Sequence, residues 1–123
     1  MRVLIVDDQP QARQGMQALL GAWYRDLEVH EAANGCDAIQ QVEEFQPEVI
    51  LMDVRMQKMN GIEALKMIKA KWRQIKVIVF SMNPDYEVEA LAAGADAFIC
   101  KSDTPEKLRG VMWNVAQEIQ RKS

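Results

Sequence analysis

Five polar side chains in this sequence could take part in one reaction, since each lies at the end of a short apolar run. They are Asp7, Asp8, Asp53, Ser81 and Lys101. Carboxylates held near one another raise each other's affinity for protons unless a cation lies among them. Oxygen ligands with room for water suit Mg²⁺, and the set holds no histidine or cysteine, which argues against zinc. The set therefore predicts a magnesium site for phosphoryl transfer, a reaction that needs mainly charge neutralisation and alignment.

The apolar runs that precede these residues predict the strands of a parallel sheet. Each run is apolar throughout, as expected of strands that are covered on both faces. The runs are Val3–Val6, Val49–Met52, Val77–Phe80 and Ala97–Cys100. A fifth segment, Leu27–Ala32, alternates between apolar and polar residues and predicts an edge strand with one wetter face.

Segments with the apolar periodicity of helices lie between and after the strands. Asn83-Pro84 and Thr104-Pro105 each supply a capping side chain followed by proline, and Gly94 is placed to end the fourth helix. Alternation of strands and helices predicts an α/β fold, a three-layer sandwich with helices on both faces of a parallel sheet. Because ligands bind beyond the carboxyl ends of the strands in such sheets, the five polar residues should meet at one rim.

The bulk composition is that of one ordinary globular domain, which we place at residues 1–123. A net charge of −3 gives this domain no electrostatic reason to bind nucleic acid or an anionic membrane. No apolar run has the length of a membrane span or a secretory signal, so we expect a cytoplasmic protein. Cys36 and Cys100 are widely separated and are interpreted as two free, buried thiols.

The five residues at the strand ends resemble the signature of receiver domains from two-component response regulators. The resemblance covers essentially the whole chain and includes Asp53-x-x-Met56 with Gly61, and the run Ala93–Lys101. It implies a flavodoxin-like α/β/α sandwich, with a five-stranded parallel sheet in the order 2-1-3-4-5 and five helices. It also implies phosphotransfer from a sensor histidine kinase or a phosphotransfer protein. Such a domain catalyses only its own phosphorylation and dephosphorylation and is not otherwise an enzyme.

The resemblance also implies roles for individual residues. Asp53 would form the acyl phosphate, and Asp8, Asp53 and the backbone near Met56 would hold Mg²⁺ with help from Asp7. Ser81 and Lys101 would bind the phosphoryl group, and Phe98 would rotate inward on activation. The face made by helix 4, strand 5 and helix 5 would change and could form a homodimer. Residues that border the site and influence access or phosphate lifetime are Arg55, Met82 and Asn83.

Three positions depart from the usual pattern of the family. Gln57 stands where proline is usual, Ser102 follows Lys101 where proline is common, and Met82 replaces a small residue. The Ser-Met pair and the stretch after Lys101 resemble receivers joined to LuxR-type DNA-binding domains. We therefore favour a receiver with a C-terminal helix-turn-helix output domain over a free-standing receiver. The cognate kinase, the stimulus and the target genes cannot be inferred from the sequence.

Three other functions were weighed. A receiver-like interaction module that works without phosphate remains the main alternative. A haloacid-dehalogenase-type phosphatase would need a second aspartate two residues after the nucleophile, where Asp53 is followed by Arg55. A nucleotide-binding domain would need a glycine-rich turn after the first strand, where Asp7 and Asp8 stand.

Some conspicuous residues have ordinary structural explanations. His30 is interpreted as a partly exposed residue of the edge strand, with no role as ligand or base. Trp72 and Trp113 continue or adjoin apolar helical stripes and are expected to pack into the core, as are the eight methionines. The basic residues between Lys66 and Lys76 are expected to form a solvated face.

Overall fold

The computed structural model describes residues 1–55 and 59–122. In chain order the strands and helices are β1 Arg2–Val6, α1 Pro10–Trp23, β2 Glu28–Ala32, α2 Gly35–Phe45, β3 Val49–Met52, α3 Gly61–Lys71, β4 Lys76–Ser81, α4 Glu87–Ala92, β5 Ala97–Cys100 and α5 Pro105–Lys122. A short 3₁₀ turn, Pro84–Tyr86, precedes α4. The strands form one parallel sheet in the order β2-β1-β3-β4-β5, which confirms the predicted order.

The strand register brings the carboxyl ends of the central strands to one rim. Val6 pairs with Ala32 on one side and with Met52 on the other, and Met52 pairs with Val79. The residue that follows each strand therefore projects from the same edge of the sheet. This is the edge at which the sequence predicts the polar site.

The core is divided between the two faces of the sheet, because successive residues of a strand point to opposite sides. Leu4 of β1 belongs to a cluster with Val42 of α2 and Ile68 of α3. Ile5, the next residue, belongs to a second cluster with Leu20 of α1 and Met112 of α5. The flavodoxin-like three-layer prediction is confirmed by these two clusters and by the strand order.

The fourth helix is shorter than the segment from Pro84 to Ala93 suggests. Asn83 accepts a hydrogen bond from the Asp85 N–H, and the chain then makes a 3₁₀ turn before α4 begins at Glu87. Gly94 follows with a φ of 110°, so a left-handed glycine ends this segment as predicted.

Several predictions of burial were wrong. Trp113 is 61% exposed, because it lies one residue beyond Met112 and so points away from the sheet-facing stripe of α5. Met67 and Met82 are also exposed, although Met52 and Met112 are buried as predicted.

The thiol and histidine predictions had mixed outcomes. Both cysteines are free, but Cys36 is exposed and Cys100 is only half-buried. His30 is exposed and stacks on Phe45 with ring centroids 3.6 Å apart, in keeping with a structural role. In the part of the chain that is described, no helix is long and apolar enough to cross a bilayer.

Candidate functional site

Three carboxylates meet where β1 and β3 end. One oxygen atom each from Asp7, Asp8 and Asp53 can be chosen so that all three lie within 4.8 Å of one another. Asp7 is 6% exposed and Asp53 is 9% exposed, whereas Asp8 faces solvent. The predicted acidic cluster is therefore present. Asp7 and Asp53 are buried, and Asp8 lies at the solvent-exposed side of the cluster.

The sheet itself holds the two buried aspartates in place. The Asp7 N–H donates to the Ala32 carbonyl at 3.1 Å, and the Asp53 N–H donates to the Val6 carbonyl at 2.9 Å. These bonds extend the strand pairing one residue beyond β1 and β3. The positions of both carboxylates are consequently set by the backbone of the central strands.

Lys101 supplies the positive charge of the site. Its Nζ lies 2.9 Å from Asp7 Oδ2 and 3.4 Å from Asp53 Oδ2. Its backbone N–H donates to the Ser81 carbonyl at 2.7 Å, which ties the end of β5 to the end of β4. One lysine thus bridges the two buried carboxylates, Asp7 and Asp53.

Burial and neighbouring charges shift the pKa values of this pair. Burial raises the pKa of Asp53, and the Asp7 charge raises it further against the opposing effect of Lys101. Burial alone would lower the pKa of Lys101, but the hydrogen bond to Asp7 and the charges of Asp53 and Asp7 outweigh it and raise that pKa. The lysine therefore stays protonated at neutral pH, while Asp53 resists ionisation more than an ordinary aspartate.

A cleft of about 580 Å³ opens over this cluster. The predicted site residues that line it are Asp8, Asp53, Arg55, Ser81, Met82, Asn83 and Lys101. Ser81 is buried, and its Oγ accepts a hydrogen bond from the Asn83 N–H at 3.1 Å. Met82 is 67% exposed.

Two predicted site residues that the structure describes, Asp7 and Phe98, are not among the residues that line this cleft. Phe98 is partly buried and packs against the core cluster on the α2–α3 face of the sheet. Met56 and the departure at Gln57 lie outside the described residues.

Two residues that the sequence did not single out support the acidic cluster. Arg13 donates from its guanidinium to the Asp7 carbonyl at 2.6 Å and pairs with Glu31 at 3.0 Å, which joins α1 to both β1 and β2. The Gln9 N–H donates to Asp7 Oδ1 at 3.0 Å. No sequence pattern indicated that Arg13 would turn back toward β1.

Gly61 allows α3 to begin directly against Asp53 and Val54, the residues that follow β3. Its N–H donates to the Val54 carbonyl at 2.9 Å, and a β-carbon at this position would overlap the Asp53 carbonyl oxygen. Asn60 caps the helix by accepting from the Glu63 N–H at 3.0 Å. Val54, the residue after Asp53, is therefore held by the start of α3, where no residue larger than glycine fits without displacement.

Comparisons with known proteins agree with this geometry. Residues 3–112 match the family described as response regulator receiver domain. The nitrate/nitrite response regulator protein NarL of Escherichia coli is 36% identical over 108 residues, which cover 86% of this chain and 50% of that protein. The chain thus spans about half the length of that relative.

Solved structures of similar proteins share the fold over nearly the whole chain. A DNA-binding response regulator of the LuxR family from Staphylococcus aureus superposes with a TM-score of 0.84 at 32% identity, covering 93% of this chain and 97% of that one. A CheY-like receiver domain from Methanospirillum hungatei gives a TM-score of 0.88 at 26% identity, with 99% and 98% covered. The chain belongs to the receiver domain family of two-component response regulators.

Proposed function

We propose that Asp53 accepts a phosphoryl group with the help of Mg²⁺, and that residues 1–123 act as one switch domain. The observation that carries this proposal is the placement of Lys101 between Asp7 and Asp53, beside the exposed carboxylate of Asp8. This small site then holds a nucleophile, a cation that can bind the phosphoryl group, and oxygen ligands for a metal. Phosphoryl transfer requires little more than this alignment and charge balance.

The donor set fits Mg²⁺. The three clustered carboxylates offer only oxygen atoms, and Asp8 faces solvent, so coordinated water has room at the opening. When bound, Mg²⁺ supplies positive charge that favours ionised Asp53 and stabilises the charge of the phosphoryl oxygens. Asp7, Asp8 and Asp53 would hold it, with Asp7 also engaged by Lys101.

In the proposed reaction an Asp53 carboxylate oxygen attacks the phosphorus of the donor. The new O–P bond forms as the bond from phosphorus to the leaving group breaks, and the leaving group takes the electron pair. Lys101 then replaces its contact with the Asp53 carboxylate by a contact with a phosphoryl oxygen and keeps its bond to Asp7. Ser81 accepts from the Asn83 N–H through Oγ, which leaves its own proton to donate to a phosphoryl oxygen.

Return to the resting state requires water to attack the same phosphorus atom and release inorganic phosphate. Arg55, Met82 and Asn83 border the cleft through which that water must approach. We propose that these three side chains influence the lifetime of the phosphorylated state.

The output of the switch is a changed protein surface. Phe98 lies in β5, three residues before Lys101, so movement of the lysine toward a phosphoryl group reaches it through one short strand, which also pairs with Ser81 at the end of β4. We propose that Phe98 moves inward and alters the face formed by α4, β5 and α5, through which a homodimer could form. The partners would be a sensor histidine kinase or phosphotransfer protein and a C-terminal helix-turn-helix output domain.

The decisive experiment is phosphorylation by acetyl phosphate with and without Mg²⁺, followed by intact-mass spectrometry beside Asp53→Ala. The expected result is a gain of one phosphoryl group that requires Mg²⁺ and is absent in the variant. Equal phosphorylation of Asp53→Ala would overturn the assignment of the acceptor. No gain, under conditions that phosphorylate a control receiver, would favour an interaction module that works without phosphate.

A further inference from the structure

Gly35, the first residue of α2, is in unusually close contact with Met59, which lies just before α3. Its N–H donates to the Met59 carbonyl at 3.0 Å. A β-carbon at Gly35 would lie 2.5 Å from that oxygen and 2.8 Å from the Met59 Cβ and Cγ atoms. Any other residue would therefore push Met59 away by at least about half an ångström to restore an ordinary contact.

The helix that carries Gly35 is a firm support for this contact. Asn34 caps α2 by accepting from the Asp37 N–H at 2.9 Å, and Ala38, Val42 and Phe45 bury the helix against the sheet. The first N–H groups of a helix have no partner within the helix. Gly35 uses one of them to hold a carbonyl of a different segment.

Met59 is connected to the phosphoacceptor by a short path through described residues. Two residues on, the Gly61 N–H bonds the Val54 carbonyl, and the Gly61 backbone abuts the Asp53 carbonyl oxygen. Met59, Asn60 and Gly61 are thus fixed at one end by α2 and at the other by the end of β3. Because this segment is short and fixed at both ends, a displacement of Met59 is expected to move Asp53 as well.

We propose that Gly35 is a positioning residue for the reaction at Asp53, acting through Met59 and Gly61. It touches neither the metal site nor the cleft, and its φ is not in the left-handed region, so close approach is what requires glycine. This inference rests on the proposed phosphorylation of Asp53. The start of α2 then helps to set the geometry of a site that is built on the ends of β1, β3, β4 and β5.

The test compares Gly35→Ala with Gly21→Ala, an identical chemical change at an α1 position where a β-carbon meets nothing within 4 Å. Two quantities are measured on protein shown to be folded by circular dichroism. The first is the set of Asp53 and Val54 backbone amide shifts in ¹⁵N-correlated spectra without metal. The second is the rate of phosphorylation by acetyl phosphate as a function of Mg²⁺ concentration.

For Gly35→Ala we expect both amides to shift and the Mg²⁺ concentration for half-maximal rate to rise. The rate should fall by at least about tenfold, since misplacing reacting groups by about 1 Å can cost about a hundredfold. Gly21→Ala should match the parent in the amide shifts and in the Mg²⁺ dependence of the rate, while its melting temperature should be equal or higher, because alanine favours a helix more than glycine does. A purely structural role for Gly35 would lower the melting temperature but leave the amide shifts and the Mg²⁺ dependence of the folded protein unchanged, and that result overturns the proposal.

Failure of the variant to fold and failure of the proposed function can each be distinguished from failure of this inference. If Gly35→Ala does not fold, Met59→Gly takes its place. It keeps the backbone hydrogen bond to Gly35 but removes the Met59 side-chain atoms that lie against Gly35 and frees the Met59 backbone, so unmoved Asp53 and Val54 amides would again overturn the proposal. If the parent accepts no phosphoryl group, the proposed function fails, while the amide shifts still decide whether Gly35 positions Asp53.

Discussion

Lys101 donates a hydrogen bond of 2.9 Å to Asp7, a residue that lies 94 positions earlier in the chain. The same ammonium group is 3.4 Å from Asp53, so it is held more closely by Asp7 than by Asp53. A lysine anchored in this way can contact a phosphoryl group on Asp53 while keeping its bond to Asp7. Removing the lysine, in contrast, leaves two buried carboxylates without their cation.

Lys101→Ala should therefore destabilise the metal-free protein and weaken the switch. The expected loss in the free energy of unfolding is about 1–3 kcal/mol, because buried charged groups lose their partner. Phosphorylation should continue at a reduced rate, since Asp53 and the metal ligands remain, but it should no longer change the surface around β5. Urea unfolding and the spectra of β5 amides with and without acetyl phosphate measure these effects, and unchanged stability would contradict them.

Asp53→Asn should raise the melting temperature of the metal-free protein at neutral pH. The raised pKa of Asp53 means that its ionised form is disfavoured by burial and by Asp7, and a neutral amide avoids this cost. Mg²⁺ should stabilise the parent and have a much smaller effect on the variant. Thermal unfolding with and without Mg²⁺ checks both statements, and a lower melting temperature of the metal-free variant would show that the pair with Lys101 outweighs burial.

The phosphorylation rate should fall as pH is lowered, because Asp53 attacks only when ionised. Its raised pKa places this fall, at a low Mg²⁺ concentration, at a higher pH than for an ordinary aspartate. The same shift means that, for this group alone, the native state gains stability as pH falls through the folded pKa. Bound Mg²⁺ favours the ionised form and should move the rate profile to lower pH. Rate profiles at two Mg²⁺ concentrations test this, and superimposable profiles would contradict it.

Asp96→Ala should destabilise the fold without altering the site. The Asp96 carboxylate accepts from the Val77 N–H at 2.8 Å and pairs with Lys69 at 2.7 Å, so it joins the start of β4 to α3. Its loss should cost about 1–2 kcal/mol of unfolding free energy. Asp26→Ala, at an exposed position, is the control and should change stability by less than about 0.5 kcal/mol. Equal stabilities of the two variants would show that the Asp96 contacts contribute nothing.

Much of the fold follows from local patterns in the sequence. The predicted strands Val49–Met52 and Ala97–Cys100 match β3 and β5, and β1 and β4 extend their predicted runs by one or two polar residues at the ends. Uniformly apolar runs are informative because both faces of the sheet are covered. The acidic cluster was predictable for a related reason, since each member immediately follows such a run.

Contacts between distant segments could not be predicted in the same way. The sequence does not show that Lys101 lies closer to Asp7 than to Asp53, because that depends on how the ends of β1, β3 and β5 are spaced. Nor does it show the approach of Gly35 to Met59, which depends on the packing of α2 against the sheet. The exposure of Trp113 was missed because neighbouring residues of a helix point about 100° apart, and one step along α5 moves a side chain off the buried stripe.

The strand order has a consequence for how the site comes into being during folding. The acidic groups are supplied by β1 and β3, which are neighbours in the sheet, whereas their cation arrives with β5, the last strand of the sheet in the chain. Contacts with large sequence separation generally form slowly, because closing long loops costs entropy. A chain synthesised only as far as β4 would gather the carboxylates without the ammonium group, so electrostatic balance at this rim is reached only after the final strand has docked.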